Sequence, residues 1–272
     1  MEIKVNNVYL GEFKVINNKK ANENKFFDNI DQIYVVSLKH RKDRRDELLE
    51  EFKKIGLLDK IKFFIAEPYK EIYKSGSHFK LNVLFDVNKN FFSKNKISDK
   101  KQGPFGCFIS HQQCFIDAKR NNFKTILILE DDCSFYDNKV DMLSKINIKN
   151  SNFDLCYFGH YTKNKSKILE TDIKNLYEVT TEKSIGQAHS IIFKEKMINY
   201  MSEIKIPKEI YKKRWGIDTF YMSNICKRED MKTYLIYPNV TYQRLSYSDN
   251  DNMICERKHD LGDIKKSRVI KI

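Results

Sequence analysis

The sequence is poor in the two residues that interrupt regular structure: its 272 positions hold only 9 glycines and 4 prolines. Collagen-like, linker-like and low-complexity chains need far more, so those classes are excluded. No run approaches the roughly eighteen uninterrupted apolar residues of a membrane span, and Met1 to Gly11 has neither the basic nor the apolar region of a leader peptide. The expectation is a soluble, unexported, cytoplasmic protein. Internal repeats and Pro/Ser-rich linkers are absent as well, so nothing demands a domain boundary. The six cysteines (Cys107, Cys114, Cys133, Cys156, Cys226, Cys255) form no C-x-x-C pair and lie in no His-rich cluster. That argues against zinc. Apolar settings such as Cys107-Phe108-Ile109 and Leu155-Cys156-Tyr157-Phe158 suggest buried free thiols in a reducing compartment.

Aromatic residues are plentiful, with 19 Phe and 15 Tyr, and the hydrophobic share of 41% is enough to build a sizeable core. Lysine and arginine number 50 against 37 acids, a formal charge of +13. Such an excess attracts nucleic acid, anionic lipid headgroups or the diphosphate of a nucleotide, and charge alone does not choose among them.

Apolar periodicity organises the chain. Ile33 to Leu38 is a β-branched run of strand length, followed by a charged helix in which Leu48, Leu49, Phe52 and Ile55 recur at helical spacing before Gly56 stops it. Lys62 to Ala66 reads as a second strand, and Tyr69 to Lys101 as a long surface excursion. Gly103 and Pro104 introduce the next helix. Thr125 to Leu129 is apolar without alternation, as in a strand buried on both faces. Asp154 to Phe158, Ser190 to Phe193 and Tyr234 to Tyr237 are further strands, with helices at Lys196 to Met201 and after Trp215. Strands alternating with helices give an α/β fold, with a mainly parallel, Rossmann-like central sheet and helices on both faces.

The strand at Thr125 ends in Glu130-Asp131-Asp132. Ligands of open α/β sheets bind beyond the carboxyl ends of the strands. Alternation sends Glu130 and Asp132 to one side and Asp131 to the other. Two carboxylates on one side can hold Mg²⁺ or Mn²⁺ together with water and phosphate oxygens; the plainer alternative is that the triplet caps a turn or pairs with surface lysines.

Three motifs in order carry a resemblance: Ile33 to Lys39 with Arg41, Asp43, Arg44 and Arg45; Gly106-Cys107-Phe108-Ile109-Ser110-His111; and Ile128-Leu129-Glu130-Asp131-Asp132. Together they resemble glycosyltransferase family 25, which includes lipooligosaccharide and procollagen galactosyltransferases, with weaker echoes as far as Ser248. The resemblance implies a single GT-A-like domain, a UDP-galactose or UDP-glucose donor, a manganese or magnesium ion held through Glu130 and Asp132, and transfer with inversion to a hydroxyl of a glycan or protein acceptor. Domain limits follow: an N-terminal arm or hairpin at 1–29, the transferase domain at 30–250, and a basic tail at 251–272. The tail reads as solvated, with peripheral membrane or nucleic-acid contact as its alternative.

The remaining candidates each have a plain structural alternative. Arg41 and Arg44 follow the first strand where donor phosphates would lie, or belong to a solvated helical turn. Val36, Ser37 and Leu38 end that strand and could form the nucleoside pocket. Ser110 and His111, read as near a helix start, could meet phosphate or sugar through free N–H groups; Asp131 is a further donor contact. His189 and Trp215 are possible additional contacts, or core. Asp218 is either a helix N-cap or the base that inversion requires. Two rivals remain: a basic nucleic-acid-binding protein, disfavoured by an acidic triplet that would repel phosphate, and a degenerate transferase fold that only binds sugar or nucleotide.

Overall fold

The computed structural model describes residues 11–16, 25–57, 60–68, 71, 99–137, 139–162, 168–180, 185–205, 216–244, 246–248, 253–255 and 269–270. Trp215, residues 72–98 of the excursion and most of the basic tail lie outside them. The strands are β1 (Gly11–Val15), β2 (Gln32–Leu38), β3 (Ile61–Ala66), β4 (Thr125–Glu130), β5 (Cys133–Phe135), β6 (Leu155–Tyr157), β7 (Tyr161–Thr162), β8 (Ile168–Glu170), β9 (Leu176–Val179), β10 (Ile185–Gly186), β11 (Ser190–Lys194), β12 (Thr233–Ile236), β13 (Thr241–Gln243), β14 (Ser246–Ser248), β15 (Met253–Cys255) and β16 (Val269–Ile270). The helices are α1 (Lys42–Lys54), α2 (Asp99–Arg120), α3 (Val140–Leu143), α4 (Glu195–Glu203) and α5 (Ile217–Phe220), the last running into a π-helical turn at Tyr221–Ile225.

Ten strands form the central sheet in the order β1-β3-β2-β4-β11-β6-β12-β9-β8-β16. The class is α/β, as the alternation of elements implies. Parallel pairing joins β3, β2 and β4, then β6 with β12, and β16 with β8; antiparallel pairing supplies the other neighbours, so the sheet is mixed. The antiparallel members are legible only through long-range pairing: β11 enters between β4 and β6, and the short strands β8 and β9 carry few residues to show a period. Gly11–Val15 pairs with β3 at the sheet edge, and Phe26 and Phe27 of the 3-10 turn Lys25–Asn29 are buried in the core.

Strand β4 shows why its sequence does not alternate. Ile126, Leu127, Ile128 and Leu129 are all fully buried, but Ile126 and Ile128 join the core on one face while Leu127 and Leu129 join the core on the other. Helices α2, α4 and α5 cover the first face and α1 and α3 the second. Each buried Leu or Ile contributes about 1.5–3 kcal/mol. Helix α1 buries Arg44, Leu48 and Phe52, spaced four apart on one stripe. Its stop at Gly56 requires a positive φ, 67°, which glycine adopts without strain.

Helix α2 begins at Asp99, four residues before Gly103, with Pro104 inside it. Ser110 and His111 therefore stand in mid-helix, where backbone N–H groups are taken by the preceding turn, and the expected anion site at free N–H groups does not exist there. The Ser110 hydroxyl donates instead to the Gly106 carbonyl one turn back, at 2.8 Å. Among the described residues no helix is long and apolar enough to cross a membrane.

Candidate active site

Beyond the carboxyl end of β4 the chain turns through Asp131 and Asp132 into β5, which pairs with β13 so that Gln243 lies opposite Cys133. The period of two holds through the turn. Gln243 Nε2 donates to Glu130 Oε2 at 3.3 Å and to Asp132 Oδ1 at 3.4 Å, which brings these two carboxylates to a common side. Asp131 is buried and accepts from Arg44 Nη1 at 2.8 Å, a contact Arg44 shares with Asp132 at 3.4 Å. Burial pushes the Asp131 carboxyl above its usual range, and the opposing pull of Arg44 does not reverse the direction. The turn is also pinned through its backbone: the Asp131 N–H donates to the Val36 carbonyl, and Arg244 reaches the Asp131 and Asp132 carbonyls, each at 2.7 Å.

On the helical side, Cys107 and His111 are one turn apart on α2 and both approach Glu130. Cys107 Sγ lies 3.5 Å and His111 Nε2 3.6 Å from Glu130 Oε1. Loss of water around the Cys107 sulfur, then the charges of Glu130, Asp218 and Asp132, hold its thiol well above the ordinary range. Three carboxylates thus act on one point, from a strand end, a turn and α5. The paired oxygen donors of Glu130 and Asp132, within such a concentration of negative charge, fit a hard divalent cation. Cys107 departs from the expectation that the cysteines are core packing; Cys114, Cys133 and Cys156 are buried as expected.

The other candidates divide. Arg44 points inward, because it occupies the same stripe of α1 as Leu48 and Phe52, and its guanidinium is engaged by Asp131 and Asp132 rather than turned to solvent. Arg45 braces the end of β2 through Ser37 Oγ (2.9 Å) and the Leu38 and Lys39 carbonyls (2.6 and 3.0 Å). Arg41 pairs with Asp43 at 3.0 Å, which draws the Asp43 carboxyl down to about 2. The carbonyls of Val36 and Leu38 already accept internal hydrogen bonds. His189 gives its carbonyl to the Glu130 N–H at 2.9 Å, while its Nε2 lies 3.4 Å from Thr241 Oγ1. That packing depends on Gly159, where a Cβ would fall 2.3 Å from His189 Nε2 and 2.6 Å from the Thr241 carbonyl.

Asp218 is the second residue of α5; the N-cap is Gly216, and Asp218 Oδ1 accepts the Thr219 N–H at 2.7 Å. The plain capping role is thus displaced by two residues. Sequence reasoning missed Gln243 and Arg244, which reach the site only through the β5–β13 pairing, and Tyr221, whose hydroxyl lies 3.3 Å from His111 Nδ1. Cys107 had a usable signal, its spacing of four from His111.

Residues 30–236 match the family model described as glycosyltransferase family 25 (LPS biosynthesis protein). A glycosyltransferase 25 family member of Drosophila melanogaster is 29% identical over 149 residues, covering 52% of this chain and 22% of its own length. One of Aedes aegypti is 26% identical over 137 residues, covering 48% and 21%. The chain therefore spans about a fifth of the length of these curated relatives. Among solved structures, A197 from STIV is similar at a TM-score of 0.38 and 13% identity, over 85% of this chain and 96% of the other. A glycosyltransferase involved in the glycosylation of the major capsid of PBCV-1 gives 0.31 and 10%, over 62% and 63%.

Proposed function

We propose, from the premise that the chain belongs to glycosyltransferase family 25, that it transfers galactose or glucose from a UDP conjugate to a hydroxyl of a glycan or protein acceptor, with inversion and with a divalent ion at Glu130 and Asp132. The observation that carries this reading is the joint approach of those two carboxylates to Gln243 at the end of a fully buried strand. Manganese or magnesium, when bound there, supplies charge neutralisation to the diphosphate leaving group.

The chain's own groups have separable roles. Arg44 holds Asp131 away from the cation side and fixes the turn, so the two ligand carboxylates are positioned before anything binds. Asp218 reaches the same region from α5; its carboxylate is the base that takes the proton from the incoming acceptor hydroxyl. In this reading Arg41, which follows β2, meets the donor phosphate, whose oxygens a guanidinium suits, while the buried Ser37 braces the strand end through Arg45. His111 lies beside Glu130, and Ser110 supports the same helix through the Gly106 carbonyl.

The test is calorimetry of UDP with Mn²⁺ and with EDTA. UDP affinity is expected to rise at least tenfold with Mn²⁺, and Asp132→Ala to remove that gain while the protein stays folded. Equal affinity under both conditions overturns the metal assignment.

A further inference from the structure

The donor set on the helical side of Glu130 differs in chemistry from the oxygen pair. One ligand atom each of Cys107, His111 and Glu130 lies within 4.8 Å of the other two. With Zn–S near 2.3 Å and Zn–N or Zn–O about 2.0–2.1 Å, tetrahedral ligand atoms stand about 3.3–3.6 Å apart. The distances to Glu130 Oε1, 3.5 Å from sulfur and 3.6 Å from nitrogen, already have that spacing.

A second observation points the same way. His111 is fully buried, and its Nε2 has no hydrogen-bond partner, although burying a polar nitrogen in this state is costly. The other ring nitrogen is placed as a zinc-binding histidine needs: Nδ1 is 3.3 Å from the Tyr221 hydroxyl. An N–H on Nδ1 donating to that oxygen leaves the Nε2 lone pair directed at Cys107 and Glu130. Gln243 engages the other oxygen of Glu130, Oε2, so Oε1 is the one presented to the thiol and imidazole.

We propose that Cys107, His111 and Glu130 form a binding site for a borderline-soft divalent transition ion, zinc above all, adjoining the oxygen pair of Glu130 and Asp132. Three protein ligands leave the fourth tetrahedral position to water. Binding exchanges the thiol proton of Cys107 for the metal and releases that proton to solvent. Because Glu130 is common to both donor sets, zinc competes with a hard ion for this residue.

The site stands independently of the proposed transfer reaction, and its test contains no sugar nucleotide. Metal-free protein is titrated with Co²⁺ and then with Zn²⁺. One equivalent of Co²⁺ is expected to give a thiolate charge-transfer band and visible bands of tetrahedral intensity, both bleached by Zn²⁺. Cys107→Ser is expected to lose the charge-transfer band and weaken zinc about a hundredfold, and Tyr221→Phe to weaken it about tenfold with the band retained. Cys226→Ser should change neither. X-ray absorption on zinc-loaded wild type, expected to show one sulfur in the metal's shell, does not depend on the folding of any variant. No charge-transfer band in wild type, its survival in Cys107→Ser, or a shell without sulfur overturns the proposal.

Discussion

Asp117 is buried and the acidic triplet is buried at Asp131 and half-buried at Glu130 and Asp132, and the protein handles the two in opposite ways. Asp117, on α2, accepts from the Tyr34 hydroxyl at 2.5 Å and from Lys62 Nζ at 2.6 Å. One acid meets one ammonium and one hydroxyl, and the Lys62 ammonium also lies 4.5 Å from the centre of the Phe13 ring. At the end of β4, by contrast, Arg44 is shared between two carboxylates, and Glu130 and Asp132 lean on the neutral amide of Gln243. A matched pair has little field left for a ligand. A cluster richer in acid than in base keeps its attraction for a cation, and it occurs at the sheet end where ligands of α/β folds bind.

The contrast is tested most strongly by unfolding. Asp117→Ala leaves the Lys62 ammonium without its carboxylate and is expected to cost about 3–5 kcal/mol, whereas Asp132→Ala, which relieves repulsion, is expected to cost less than about 1 kcal/mol. Urea denaturation of both variants measures this, and equal losses would erase the distinction between the two clusters.

His160 sharpens it with a buried group of a third kind. Burial draws its pKa down to about 4, so it is held neutral in the fold. An unfolded His160 takes up its proton near pH 6.5. Between the two values the unfolded state binds more protons, so this contribution is complete above about pH 6.5 and is lost as pH falls through the folded value. The loss is at most about 3 kcal/mol. Urea midpoints from pH 7 to pH 4 should decline less steeply in His160→Gln than in wild type; parallel slopes would remove His160 as the cause.

The smallest expected change in stability belongs to Asp218→Asn, a few tenths of a kcal/mol, because the amide oxygen can still accept the Thr219 N–H. Turnover should nevertheless fall about a hundredfold with UDP affinity little altered. Full activity in a transfer assay would reduce Asp218 to a local support of its own helix.

Much of the acidic end of β4 was visible in single residues because it rests on local periods. The unbroken apolar run of β4 announced a strand covered on both faces, and a period of two separated Asp131 from Glu130 and Asp132. The same local logic misplaced the start of α2, since Gly103-Pro104 resembles a helix entry while the helix begins at Asp99. It also turned Arg44 toward a ligand, although its spacing of four from Leu48 marks a buried stripe. Gln243, Arg244 and Tyr221 were out of reach for a different reason: each meets the site through a partner more than a hundred residues distant in sequence, and no local period encodes such a pairing.

Gly159 carries a consequence for how damage to this protein would look. The missing side chain lets Thr241 and His189 close together, and the His189 carbonyl in turn fixes the Glu130 N–H. A single methyl group at position 159 would therefore be transmitted as a backbone displacement to the acidic turn. In a mutational screen it would score with direct damage to the acidic turn, while every side chain of that turn remained chemically intact. Sensitivity to substitution at this position thus measures the rigidity of a scaffold, and a smaller side chain at Thr241 would not repair it, because the His189 ring and the Thr241 carbonyl stand in the same space.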